Sequence, residues 1–121
     1  MADDRVVKDR RTHPRVNAEL SAKVTADGEG FEAVVKNVSV SGLLLVTDRR
    51  IPEMTMLRLR LSLPPEANRG VTFTFEISGA VVRCESIGTG EDERFELAVF
   101  LTNMPREAKV ALSEFISTRL G

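Results

Sequence analysis

Three observations predict an all-β chain folded as a six- to seven-stranded antiparallel barrel with a C-terminal α-helix. Apolar and polar residues alternate strictly through several consecutive segments, as in strands with one buried face. Short turn signals separate those segments and no helical pattern intervenes, which excludes a parallel sheet built by βαβ crossovers. Helical spacing occurs once, in the last segment. Consecutive strands on short loops are best accommodated by a barrel or sandwich that removes its own edges.

The elements follow in order. Val16, Ala18, Leu20, Ala22 and Val24 form one face of the first strand, and Asn17, Glu19, Ser21, Lys23 and Thr25 the other. Asp27-Gly28-Glu29-Gly30 is a hairpin signal, with Phe31 to Val38 as the partner strand. After the polar connection Asn37 to Gly42 comes Leu43-Leu44-Leu45-Val46, a run expected to be buried on both faces or nearly so. Asp48 to Pro52 is a loop. Leu57, Leu59, Leu61 and Leu63 alternate with Met56, Arg58, Arg60 and Ser62, a strand with a cationic outer face. Pro64-Pro65 ends that strand, since proline cannot donate to a ladder. Val71, Phe73, Phe75 and Ile77 open the next strand, and Gly79 breaks its phase, predicting a bulge or bend before Ala80 to Ile87. Ser86 to Glu93 is an acidic turn, and Phe95, Leu97, Val99 and Leu101 form the last strand. Pro105 suits the first turn of a helix, and Ala108, Ala111, Leu112, Phe115, Ile116 and Leu120 give that helix an apolar face.

The length of 121 residues suits one hydrophobic core. Residues 1–8 are expected to be a polar tail and 9–121 a single domain, with the barrel at about 16–102 and the helix at about 105–120. A formal net charge of −1 argues against a whole-molecule grip on nucleic acid, and there is no tryptophan or tyrosine to stack on unpaired bases. The apolar runs are far shorter than a membrane span requires, and the N-terminus Met-Ala-Asp-Asp-Arg lacks the apolar stretch of a signal peptide. A cytoplasmic location without membrane insertion is the expectation, and the lone Cys84 fits a reducing compartment.

Catalysis finds no support. His13 is the only histidine, Cys84 sits within a strand pattern, and no metal-ligand spacing or phosphate-binding glycine loop is present. No cofactor is implied.

Two stretches stand out instead. Asp9-Arg10-Arg11-Thr12-His13-Pro14-Arg15 concentrates three guanidinium groups just before the first strand. Pro14 disfavours a helix there. Planar cationic forks suit bidentate capture of phosphate and stacking on flat rings, although a solvated basic arm has the same composition. In Asn37-Val38-Ser39-Val40-Ser41-Gly42, an amide able to read a base edge is followed by two hydroxyls and a glycine. A self-stabilised β-turn draws on the same residues.

Taken as a pair, Arg11-x-x-x-Arg15 and Asn37-x-Ser39-x-x-Gly42, separated by one hairpin, resemble the motifs of the PilZ domain family. Its members bind the bacterial second messenger cyclic di-GMP on a six-stranded barrel with a trailing helix. The resemblance implies that Arg11 and Arg15 grip phosphate and stack on guanine. It likewise implies that Asn37 bonds a guanine edge, Ser39 lies near phosphate and Gly42 permits close approach. Arg10, before the first motif arginine, resembles members that take up an intercalated pair of ligands. Lys8, His13 and Ser41, beside the motifs, complete the candidate set. Ala98 stands where many relatives carry glycine, a difference expected to affect packing. A single domain of this kind signals by moving its N-terminal arm against the barrel, toward a protein partner that the resemblance does not name. The alternative is a PilZ-like protein-interaction module that binds no nucleotide.

Overall fold

The structure, a computed structural model, describes residues 14–64 and 72–120. Lys8, Arg10, Arg11 and His13 lie outside these ranges, as does Val71 at the expected start of the fifth strand. Six strands are present: β1 (Val16–Ala26), β2 (Glu29–Val38), β3 (Gly42–Thr47), β4 (Met56–Leu63), β5 (Phe73–Ile87) and β6 (Arg94–Asn103). One helix follows, α1 (Arg106–Leu120). All pairings are antiparallel, and the order β1-β2-β3-β6-β5-β4 closes on itself.

The inward faces are those that the alternation predicts. Leu20, Ala22 and Val24 of β1, Leu57, Leu59, Leu61 and Leu63 of β4, and Leu97, Val99 and Leu101 of β6 are all buried. The β1–β2 hairpin turns on two residues, Asp27 and Gly28, with φ of 52° and 81°. Positive φ at both positions matches the right-handed twist of the strands, which is why Asp-Gly serves there.

Two expectations are refined. The range of six to seven strands resolves to six, because the segments on either side of Gly79 are one strand of 15 residues. Gly79 does mark an irregularity: the β5–β6 register shifts between Ser78 and Gly79 and again between Val81 and Arg83. The shifts bend the strand without ending it, since β5 keeps its pairing with β4 through Met56–Ala80. In the Leu43–Val46 run, Leu43 and Leu45 are buried, whereas Leu44 and Val46 are partly exposed. Both faces of that strand are apolar, but a barrel has one interior.

β3 and β4 lie on opposite sides of the closed ring, so residues 48–55 must cross one barrel end. Ile51 from this crossing is buried in the core and plugs that end. At the other end, α1 follows β6 and turns Ala108, Leu112, Phe115 and Ile116 into the same core. Cys84 is partly buried against that core, a small apolar residue in a strand.

Gly79 is where packing tolerates least. A Cβ built there would lie 2.6 Å from Val99 Cγ1 and 2.8 Å from the Phe100 carbonyl oxygen. Gly79→Ala is therefore expected to cost about 1–3 kcal/mol through overpacking. At roughly 4 °C per kcal/mol for a domain of this size, a thermal melt followed by circular dichroism would show the loss.

Candidate functional site

The α1 end of the barrel gathers the described candidates Arg15, Asn37, Ser39, Ser41 and Gly42. Arg15 directly precedes β1, Asn37 ends β2 with Val38, and Ser39 to Ser41 connect to Gly42 at the start of β3. Asn17 and Asn37 face each other across the β1–β2 ladder. The register shifts just beyond, between Asn17 and Leu20, and the β2–β3 register shifts between Val35 and Asn37. Irregularities of this kind re-aim side chains at the rim of a barrel.

Arg15 Nη1 donates to Asn37 Oδ1 at 2.8 Å, and Asn37 Nδ2 donates to Asn17 Oδ1 at 3.4 Å. The two motifs, separated by 22 positions in the chain, thus meet through a side-chain hydrogen bond. Arg15 is exposed and Asn37 partly so, which leaves guanidinium and amide groups open to an incoming ligand. Asn17 was not a candidate from sequence, where it is one of five polar residues on an outer face. Only the register reveals its place beside Asn37.

Ser39 plays a different part. It is 1% exposed, and its hydroxyl accepts from the Ser41 and Gly42 amides, each at 3.1 Å. The same hydroxyl lies 3.3 Å from the Gly42 carbonyl oxygen and 3.2 Å from Ser41 Oγ, and the Ser39 amide donates to the Gly42 carbonyl at 2.8 Å. Ser39 therefore holds the turn, with its hydroxyl directed into the loop. The Ser41 carbonyl accepts from the Leu101 amide at 3.0 Å, tying the turn to the end of β6.

Gly42 has no positive φ; its requirement is space. A Cβ would sit 2.9 Å from the Val99 carbonyl oxygen, with Arg15 Nη2 at 3.8 Å on the same side. The missing side chain brings β3 and β6 together, and Gly42 is buried with the Arg15 guanidinium beside it. Elsewhere on the barrel, Arg60 of the cationic β4 face is paired with Glu76 at 3.1 Å, so that face is partly neutralised.

Among the described residues no group of His, Cys, Asp and Glu could hold a metal ion, and no helix is long and apolar enough to cross a membrane. What the site offers is an exposed cationic fork and a partly exposed amide beside a turn held by Ser39. These can bind an anion and the polar edge of a flat ring.

Comparisons with known proteins agree with the fold. The model of the PilZ domain family matches residues 9–117. No curated protein matches the sequence. Among solved structures, the Bacillus subtilis inhibitor of motility MotI/DgrA aligns with a TM-score of 0.77 and 21% identity, over 92% of this chain and 51% of its own. The chain thus spans about half the length of that relative. The PilZ domain of Escherichia coli YcgR, solved with c-di-GMP, gives 0.66 and 12% identity over 92% of each chain. Borreliella burgdorferi PlzA, in complex with c-di-GMP, gives 0.60 and 13% over 98% of this chain and 57% of its own. At such identities the likeness is one of fold.

The burial of Ser39 makes its role measurable without any ligand. Ser39→Ala removes the acceptor used by two amides and should cost about 1–3 kcal/mol. A urea or thermal unfolding midpoint equal to that of the unaltered protein would contradict this role for the hydroxyl.

Proposed function

This chain belongs to the PilZ domain family, and from that premise we propose that it is a cytoplasmic receptor for cyclic di-GMP. The observation that carries the proposal is the contact between its two motifs, Arg15 on Asn37, above the turn held by Ser39. The ligand has two phosphates and two purine faces, the targets that arginine forks favour. In this reading Arg15 exchanges its bond to Asn37 for phosphate oxygens or a guanine ring, and the freed amide of Asn37 turns to a guanine edge. The exchange costs little, because the bond given up at Asn37 is replaced by charge-assisted bonds to phosphate or stacking on the ring. Asn17 positions Asn37 by accepting from its Nδ2. Gly42 leaves room for the base, and Ser39 acts through the turn it organises, with Ser41 at the surface of that turn.

Arg11 supplies the second motif guanidinium. Arg10 before it sets the uptake of an intercalated ligand pair, with Lys8 and His13 adding contacts from the same segment. Rearrangement of the N-terminal arm against the barrel is the output: it changes the surface at the α1 end, where a protein partner reads it. The relatives solved with c-di-GMP, YcgR and PlzA, and the inhibitor of motility MotI/DgrA support a signalling role of this type. The domain performs no reaction.

Isothermal titration calorimetry with cyclic di-GMP tests this directly. Arg11→Ala and Arg15→Ala should each weaken binding about 10- to 150-fold, the range for charge-assisted hydrogen bonds. Absence of binding by the unaltered protein at about tenfold-varied concentrations through the micromolar range would favour the nucleotide-independent interaction module. The fitted stoichiometry tests Arg10: two ligands per chain are expected, falling to one in Arg10→Ala. Because the ligand is a dianion gripped partly at the surface, affinity should also fall as salt is raised.

A further inference from the structure

Phe100 is a phenylalanine at an outward position of β6 and is 55% exposed. Burying an aromatic ring is strongly favourable, and this one adjoins the exposed Met56 across Ala80, a contiguous apolar surface of the kind that marks binding sites. The other five phenylalanines are engaged. Arg49 lies over Phe31 at 4.5 Å, Arg50 over Phe95 at 4.9 Å and Arg119 over Phe115 at 4.6 Å. Phe73 and Phe75 stack on each other with centroids 5.5 Å apart. Among the described residues, Phe100 is the aromatic with neither a cation nor a ring against it.

Its position is informative. Phe100 lies directly opposite Gly42 in the β3–β6 ladder, and directly opposite Ala80 on β5. Residues so paired project to the same face, with Cβ positions about 5 Å apart. The Cβ position of Gly42 points toward Arg15, whose Nη2 would be 3.8 Å from it. Arg15, Gly42 and the Phe100 ring therefore share one outward face. Beside it on that face lie the small Ala80 and Ala98 and the partly exposed Leu44, with the exposed Met56 of β4 paired beyond Ala80.

We propose that Phe100 is a purine-stacking residue of the site: a guanine reached by Arg15 and Asn37 lies against its ring. The inference rests on the cyclic di-GMP reading and assigns a base-binding surface that neither motif contains. A chain without tryptophan or tyrosine thereby acquires its stacking surface from a phenylalanine that sequence alternation alone places at the solvent. Stacking tolerates any purine, so Phe100 contributes affinity for the flat ring while Asn37 reads its edge.

The test is calorimetry with cyclic di-GMP on the unaltered protein and on Phe100→Ala, Phe100→Leu and Phe100→Trp. Loss of one stacking aromatic should weaken binding about 5- to 150-fold in Phe100→Ala. Phe100→Leu, which keeps apolar bulk without a ring, should lose most of the same factor, and Phe100→Trp should restore affinity. Phe100→Trp also creates the only tryptophan in the chain, and its emission should be quenched as cyclic di-GMP is added. Melting temperatures should stay close to that of the unaltered protein, since an exposed side chain is being changed. Unaltered protein that binds with the same affinity as Phe100→Ala overturns this inference alone. Unaltered protein that does not bind overturns the receptor reading and this inference with it.

Discussion

The hydrogen-bonded seam between β1 and β4, running from Ala22–Leu61 to Ala26–Leu57, is the constraint on which the rest of the molecule depends. Without it β1 and β4 would be open edges, with unpaired amides and carbonyls and an apolar inner face half in water. Closure places β3 and β4 on opposite sides of the ring, which in turn obliges residues 48–55 to cross one end and bury Ile51. The opposite end receives the apolar face of α1. One pairing thus sets the interior, both plugs and the rim on which the site is built.

At that rim, residues of the two motifs are also residues of the fold. Gly42 is required by the Val99 carbonyl of the neighbouring strand before any ligand is considered, and Ser39 is consumed by the turn it stabilises. Arg15 and Asn37 stand apart from this framework: they are exposed or partly so, and their bonds are to each other and to Asn17. Rigid turn and open side chains are complementary. In the proposed receptor the turn would limit the ordering cost of recognition, while the polar groups above it change partners.

Much of this was legible in sequence because strand periodicity is strict. The inner faces of β1, β4 and β6 and the buried face of α1 could be read from alternation and from helical spacing, and the Asp27-Gly28 turn from its two residue types. The Leu43–Val46 run was harder: an apolar residue on an outward position looks the same in sequence as one on an inward position. Gly79 could be recognised as a break in phase, but whether a strand bends or stops there depends on a partner strand, β4, that bridges it. Asn17 and Phe100 were hidden for a related reason. Each is an ordinary outward residue until the register sets it opposite Asn37 or Gly42.

By itself the sequence determined the element types, the core-facing residues and the two motifs, because each depends on neighbours within a few positions along the chain. Tertiary structure decided the closure of the barrel, the crossing that buries Ile51 and the meeting of Arg15 with Asn37. It also decided that Gly42 serves a close strand approach and that Phe100 shares the face of Arg15. These depend on which strands pair and in what register, a choice made by the collective burial of apolar faces and the pairing of every backbone group, which no local pattern records.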